Sequence, residues 1–71
     1  MSNLINIKLG KKIKEMRQVR EMTQEQLAEK IKTSYKYIQR IEGKTPPDVR
    51  LTTIVRLAKA LKVKPAELLK F

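Results

Sequence analysis

The chain has 71 residues, the length of one small domain, which we place at residues 1–71. It carries 17 Lys+Arg against 7 Asp+Glu, a formal net charge of +10 at pH 7, and it has neither Cys nor His. Disulfides, thiolate or imidazole metal sites and catalysis by Cys or His are therefore excluded, and no apolar run approaches the roughly 20 residues of a membrane span. We expect an intracellular protein that is not an enzyme, needs no metal or cofactor, and binds a polyanion, either nucleic acid or an anionic membrane.

The spacing of apolar residues predicts an all-α fold of five helices. The first helix is predicted over about residues 6–20, with Leu9, Ile13 and Met16 on one face. Gly10 lies inside this helix and should cost roughly 1 kcal/mol relative to Ala. Close approach of another helix is one explanation for a glycine at that position.

A second helix is predicted to open at Thr23 and to end near Ile31. Thr23 and Gln26 have the spacing of a capping box, in which the hydroxyl accepts from the later backbone N–H and the Gln side chain reaches back. Leu27, Ala28 and Ile31 are predicted to form the buried face of this helix.

Ser34 is the predicted N-cap of a third helix, residues 35–42. Ile38 and Ile41 are its only strongly apolar positions, so the other side chains form a large outward face. We expect two tyrosines on that face, where exposed aromatic side chains are unfavourable unless something binds them. Gly43 follows at a position where helices commonly end in a left-handed residue.

The segment KTPPDV, residues 44–49, is predicted to be a loop because its prolines block continuation of the helix. A fourth helix of about eleven residues follows, and Asp48 is the only good capping side chain near its start. A short fifth helix is predicted to begin with Pro65 at the favoured first position. Leu68 and Leu69 are expected to anchor it.

Four segments of the chain together resemble the phage-repressor and Cro-like helix-turn-helix family: LGKKIKEMR, MTQEQLAEKI, IQRIEGK and LAKALKVKPAELL. The resemblance spans about residues 9–69. It implies a lambda-repressor-like bundle of five helices with the helix-turn-helix at about residues 23–42. In that family, helix 2 crosses the DNA backbone and helix 3 lies in the major groove. The resemblance also implies a bacterial or phage protein of the cytoplasm, associated with the nucleoid.

The resemblance assigns roles to single residues. Four match the family's base-reading positions: Ser34, Tyr35, Lys36 and Arg40. Five match positions at the DNA backbone: Gln24, Tyr37, Gln39, Lys44 and Thr45. Arg40 or Lys36 would hold O6 and N7 of a guanine, and Gln24 would bind phosphate at a helix N-terminus. Arg17 and Glu42 would instead form a structural ion pair that locks helix 3 onto helix 1.

Two positions depart from the family pattern. The turn between helices 2 and 3 usually has a Gly, but the aligned residue here is Lys32. We therefore predict Lys32 in the left-handed region, at a cost of about 1 kcal/mol. The loop after helix 3 is about one residue longer than is common, which leaves the phosphate contacts of residues 43–50 undetermined.

The resemblance implies sequence-specific binding of double-stranded DNA and regulation of transcription, with repression as the expected effect. The family binds palindromic operators as homodimers, and Leu69 and Phe71 provide apolar surface for such a dimer at the C-terminal end. Two alternatives use the same DNA-binding mode: the antitoxin of a toxin–antitoxin pair and the controller protein of a restriction–modification system. An alternative of another class is a basic module that binds other proteins or anionic membranes.

Overall fold

The computed structural model describes residues 2–71, with side chains from residue 4 onwards, as a bundle of five helices. They are α1 (Ser2–Val19), α2 (Gln24–Lys30), α3 (Tyr35–Ile41), α4 (Leu51–Ala60) and α5 (Pro65–Leu68). No strand occurs between residues 2 and 71, and the predicted five-helix, all-α fold is confirmed. Within the same residues, no helix is both long enough and apolar enough to traverse a bilayer.

α1 begins at Ser2, so the start predicted near Asn6 is four residues late. Leu4 and Ile5, in the added turn, are 60% and 57% exposed. Hydrophobic periodicity detects only the turns of a helix that contribute to the core, which explains the missed start. The amide of Asn6 donates to Oδ1 of Asp48 at 2.6 Å and ties this end of α1 to the loop before α4.

Side-chain caps set the starts of α2 and α3. The Thr23 hydroxyl accepts from the N–H of Gln26 at 3.0 Å, and the Gln26 side chain accepts from the N–H of Thr23 at 2.8 Å. The predicted capping box is therefore confirmed. Ser34 caps α3 in the simpler way, because its hydroxyl accepts from the N–H of Tyr37 at 3.1 Å. Each cap satisfies an amide that the helix itself leaves without a partner.

Three helices end in a left-handed residue that is not glycine. Lys32, after α2, has φ of 56°, which confirms the predicted conformation. The next residue closes the turn, since the N–H of Thr33 donates to the carbonyl of Ala28 at 2.9 Å. Glu21 and Lys62, after α1 and α4, adopt φ of 54° and 59°. Each of these residues costs about 1 kcal/mol that a glycine would not.

The two glycines, Gly10 inside α1 and Gly43 after α3, have different surroundings. A Cβ on Gly10 would overlap the carbonyl oxygen of Ile41, so the close approach of α3 to α1 explains this glycine. Gly43 follows the C-cap Glu42, at the predicted position, but neither glycine has a positive φ. The N–H of Gly43 instead donates to the carbonyl of Arg40 at 3.1 Å and continues the last turn of α3.

Asp48, the only good capping side chain near the start of α4, does not cap this helix. Arg50 is the N-cap and makes no side-chain capping hydrogen bond. Asp48 lies two residues earlier in the chain, and its carboxylate accepts from Asn6 instead. α4 is therefore held by the packing of its apolar face, which includes Ile54 and Leu57, rather than by its first turn.

The core consists of apolar side chains from all five helices and their ends, none more than 6% exposed. Its members are Leu9, Ile13, Leu27, Ala28, Ile31, Ile38, Ile41, Ile54, Leu57, Ala58, Leu61 and Leu68. The predicted buried faces of α2 and α3 are confirmed. Leu68 anchors α5 as predicted, but Leu69 is 45% exposed, so its predicted anchoring role is wrong.

Candidate nucleic-acid interface

A buried ion pair fixes the C-terminal end of α3 against α1. Nε and Nη2 of Arg17 donate to the two carboxylate oxygens of Glu42, each at 2.9 Å. Nη1 of Arg17 donates to the carbonyl of Met22 at 2.7 Å. The side chains of Arg17 and Glu42 are only 10% and 2% exposed. A bidentate pair restricts both the distance and the relative rotation of its two side chains. It therefore fixes the position of the C-terminal end of α3 relative to α1.

Gln24, the first residue of α2, joins this network. Its Nε2 donates to Oε1 of Glu42 at 2.9 Å. One carboxylate therefore connects α1, α2 and the end of α3. The resemblance placed Gln24 at the DNA backbone. The sequence did not predict its bond to Glu42, because the two residues are 18 positions apart and Gln24 carries no charge that would suggest a partner for a carboxylate. The bond fixes the side chain of Gln24 at the N-terminus of α2.

The outward side of α3 carries polar and cationic side chains. All four residues predicted to read bases are exposed: Ser34, Tyr35, Lys36 and Arg40. The hydroxyl of Tyr35 accepts from Nε2 of Gln39, one helical turn later, at 3.0 Å. The oxygen of Ser34 is used as the helix cap, but its O–H remains a donor. The sequence of α3, YKYIQRI, contains no acidic residue that would repel DNA.

Tyr37 does not lie on the outward face as expected. It is half-buried and packs against the core. Tyr37 precedes Ile41 by four residues, and residues four apart lie on the same side of a helix. It therefore flanks the buried stripe of α3, and Tyr35 is the tyrosine that stands exposed, at 43%.

The segment after α3 is anchored at two points. Pro46 is buried, and Val49 packs against the core. Lys44 and Thr45, which were predicted to meet the DNA backbone, are exposed immediately before the first anchor. Fixed neighbours hold these two residues beside the end of α3. Arg50 is another exposed cation in this segment, and it was not among the residues predicted to meet DNA.

The dimensions of α3 suit a duplex groove. An α-helix with its side chains is about 10–12 Å across, and the major groove of B-DNA is about 12 Å wide. Lys36 and Arg40 can donate to base edges or phosphates, and Tyr35 can donate or accept. Two short helices joined by a tight turn, with the second held by a buried ion pair and exposed on a basic side, define a helix-turn-helix DNA-binding domain.

Comparison with known proteins agrees with this class. The family described as the Cro/C1-type HTH DNA-binding domain matches residues 12–71. The chain belongs to this family, which confirms the family predicted from the sequence and supports DNA-binding transcription regulation. The chain is similar to the crystal structure of the restriction-modification controller protein C.AhdI from Aeromonas hydrophila, with 32% sequence identity and a TM-score of 0.82. The match covers 89% of this chain and 94% of that one. No curated protein gives a significant match.

Proposed function

We propose that this protein is a sequence-specific transcription repressor that binds a palindromic operator as a homodimer. One observation carries the proposal: the Arg17–Glu42 pair and its bond to Gln24 fix α3 while leaving its basic side exposed. A recognition element must be both rigid and accessible, since bases are read by side chains held at defined positions. Occupation of promoter DNA by the dimer would then block transcription.

The proposed contacts divide into two groups. The residues that read bases are Ser34, Tyr35, Lys36 and Arg40. The residues that contact the DNA backbone are Gln24, Tyr37, Gln39, Lys44 and Thr45. Arg40 is the strongest candidate for specificity because a guanidinium can donate two parallel hydrogen bonds to O6 and N7 of one guanine. Tyr37 is the weakest, because it is half-buried against the core.

We expect Arg40→Ala to reduce discrimination between the operator and altered sequences by about 1–3 kcal/mol at one base position. The reason is the loss of a bidentate base contact, which the single ammonium of a lysine does not reproduce. Selection of binding sites from random duplexes by the wild-type protein would first define the operator. Affinities of the variant for a panel of single-base changes would then show relaxed preference at one position in each half-site.

Lys44→Ala is the matched control, since it removes one exposed cation from the segment after α3. It should weaken all duplexes alike and lower the slope of log affinity against log salt by about one unit. An unchanged preferred sequence and affinity in Arg40→Ala would show that α3 does not read bases in the proposed way.

The dimer is proposed through exposed apolar side chains of α4 and of the residues just after α5, two helices that pack against each other. They are Leu51, Val55, Leu69 and Phe71, which are 45–76% exposed. Leu69 and Phe71 were predicted from the sequence, and the structure adds Leu51 and Val55, which lie one turn apart on α4. An 8.3-kDa monomer offers few base contacts, whereas two linked copies bind a palindrome with much higher affinity.

We expect the double variant Val55→Asp/Leu69→Asp to be monomeric at concentrations where the wild type is a dimer, because it would place four carboxylates in the apolar contact. Sedimentation equilibrium measures this directly, against a monomer mass of 8.3 kDa. Val19→Asp is the control, since Val19 is also exposed, at 65%, but lies at the end of α1. Equal dimerisation of the double variant and the control would place the dimer contact elsewhere.

A second candidate function is control of a restriction–modification system, and the similarity to C.AhdI favours it. The same DNA-binding surface would serve both functions. The genes next to the selected operator distinguish the two candidates, since a controller's site precedes restriction or methylation genes. The antitoxin and membrane-binding alternatives gain no support from the family or from this solved structure.

A further inference from the structure

A second basic surface lies outside the proposed DNA-binding residues. It is a groove of about 440 Å³ between the C-terminal ends of α2 and α4. Its lining residues are Lys30, Ile31, Lys32, Arg56, Lys59 and Ala60. Four of these six are cationic and none is acidic. A smaller depression of about 150 Å³ shares Lys30 and Ala60 with this groove and adds Arg20 and Lys62.

Two arginines in this region are held in place by backbone carbonyls. Nη2 of Arg56 donates to the carbonyl of Ile31, at the end of α2. Nε of Arg20 donates to the carbonyl of Leu61 at 2.9 Å, at the end of α4. Nη2 of Arg20 also donates to the carbonyl of Lys62 at 3.4 Å. A guanidinium has five N–H donors, so each of these arginines keeps other donors for a ligand. Little side-chain entropy remains to be lost when that ligand binds.

The negative ends of two helix dipoles balance only part of the positive charge of the groove. The C-terminus of a helix is equivalent to at most about −0.5 of an elementary charge. The ends of α2 and α4 together therefore contribute about −1, against four cationic side chains in the groove. The surplus of about +3 has no carboxylate among the lining residues to balance it. An anion with several charges would relieve the repulsion between these cations.

The groove also lies away from the proposed phosphate contacts of the helix-turn-helix. Lys30 is six residues from Gln24, a separation of about 9 Å along the axis of α2. Arg56 and Lys59 belong to the second half of α4, whereas Lys44 and Thr45 precede its first turn. Four cations line this open groove, and its volume of about 440 Å³ falls in the range of about 300–1,000 Å³ typical of small-molecule sites.

We propose that this groove binds a polyphosphate anion, such as the triphosphate of a nucleotide or an inorganic polyphosphate. Arg56 holds two oxygens of one phosphate through its fork, and the lysines pair with the adjoining phosphates. The inference concerns a site separate from α3 and does not depend on the proposed operator binding.

The test is a titration of the full chain with tripolyphosphate at constant ionic strength, followed by calorimetry and by amide chemical shifts. We expect one saturable site, with the largest shifts at residues 30–32 and 56–62. The variant Lys30→Gln/Lys59→Gln should weaken binding by about tenfold, because both charges face the anion at short range. The control Lys11→Gln/Lys64→Gln removes the same charge from exposed positions outside the groove and should change affinity by less than about twofold.

Three results would overturn the inference. An equal loss of affinity in the two double variants would mean that tripolyphosphate binding depends only on the net charge of the protein. Shifts centred on α3 would place the anion on the proposed DNA-binding surface. A titration with duplex DNA gives the third result. If the amide shifts of the groove change only with a duplex that extends beyond the operator, and not with tripolyphosphate, the groove holds flanking DNA. Circular dichroism of the variants checks that they remain folded, which is expected because Lys30 and Lys59 are both exposed.

Discussion

We expect Glu42→Ala to destabilise the fold by about 3–5 kcal/mol, the usual effect of removing one partner of a buried ion pair. Arg17 would remain buried without its counter-charge, and Gln24 would lose its acceptor. A domain of this size rarely has more than about 3–5 kcal/mol of stability in total. Urea denaturation followed by circular dichroism should therefore show a largely unfolded variant at 25 °C.

Two comparisons isolate the cause. Glu67→Ala breaks the ion pair between Glu67 and Lys70, whose side chains are 46% and 69% exposed respectively. Its loss should lower the free energy of unfolding by less than about 1 kcal/mol. The double variant Arg17→Met/Glu42→Leu should be more stable than Glu42→Leu alone, since it leaves no unpaired buried charge. If Glu42→Ala were no more harmful than Glu67→Ala, the buried pair would not be what holds α3 in place.

We expect Gly10→Ala to destabilise the protein by about 3 kcal/mol, the upper part of the range for forcing extra atoms into a packed interface. Helix propensity alone predicts the opposite sign, since Ala is favoured over Gly by about 1 kcal/mol inside a helix. The added Cβ would overlap the carbonyl oxygen of Ile41 and lie 3.2 Å from its carbonyl carbon. Both atoms are backbone, so the clash is relieved only by moving α1 and α3 apart.

The midpoint of urea unfolding measures the effect of Gly10→Ala, and operator affinity is expected to fall with it because α3 shifts. Lys11→Ala is the control on the neighbouring, exposed position of the same helix. It should change stability by less than about 0.5 kcal/mol. A Gly10→Ala protein more stable than the wild type would mean that α1 and α3 separate easily, and that helix propensity governs this position.

Signals between residues close in the chain were reliable guides to local structure. The Thr23–Gln26 capping box was predicted correctly because it depends on atoms within one helical turn. The left-handed Lys32 was predicted from the resemblance, since the family usually has a Gly at that position. The first turn of α1 was missed because Leu4 and Ile5 are exposed and add nothing to the apolar periodicity. The role of Asp48 could not be read locally either, since its carboxylate accepts from Asn6, 42 positions away.

The candidate site shows the same division. The residues of the outward side of α3 could be named from the sequence, because a 7-residue helix with two buried isoleucines leaves the rest exposed. The half-burial of Tyr37 could not be predicted from the sequence, since it depends on how the other helices pack beside the buried isoleucines of α3. The basic groove was also invisible, because its cations come from two helices that meet only in the folded bundle.

The sequence by itself determined the fold class and the position of the helix-turn-helix, because periodicity, capping and turn residues act over a few neighbouring positions. The family followed from the resemblance of four of its segments. Only the tertiary structure decided why residue 10 is glycine, that Gln24 binds Glu42, and where the surplus positive charge gathers. The physical reason is that these properties arise from the distances between helices. Those distances are set by the packing of the whole core, and no local segment of the chain encodes them.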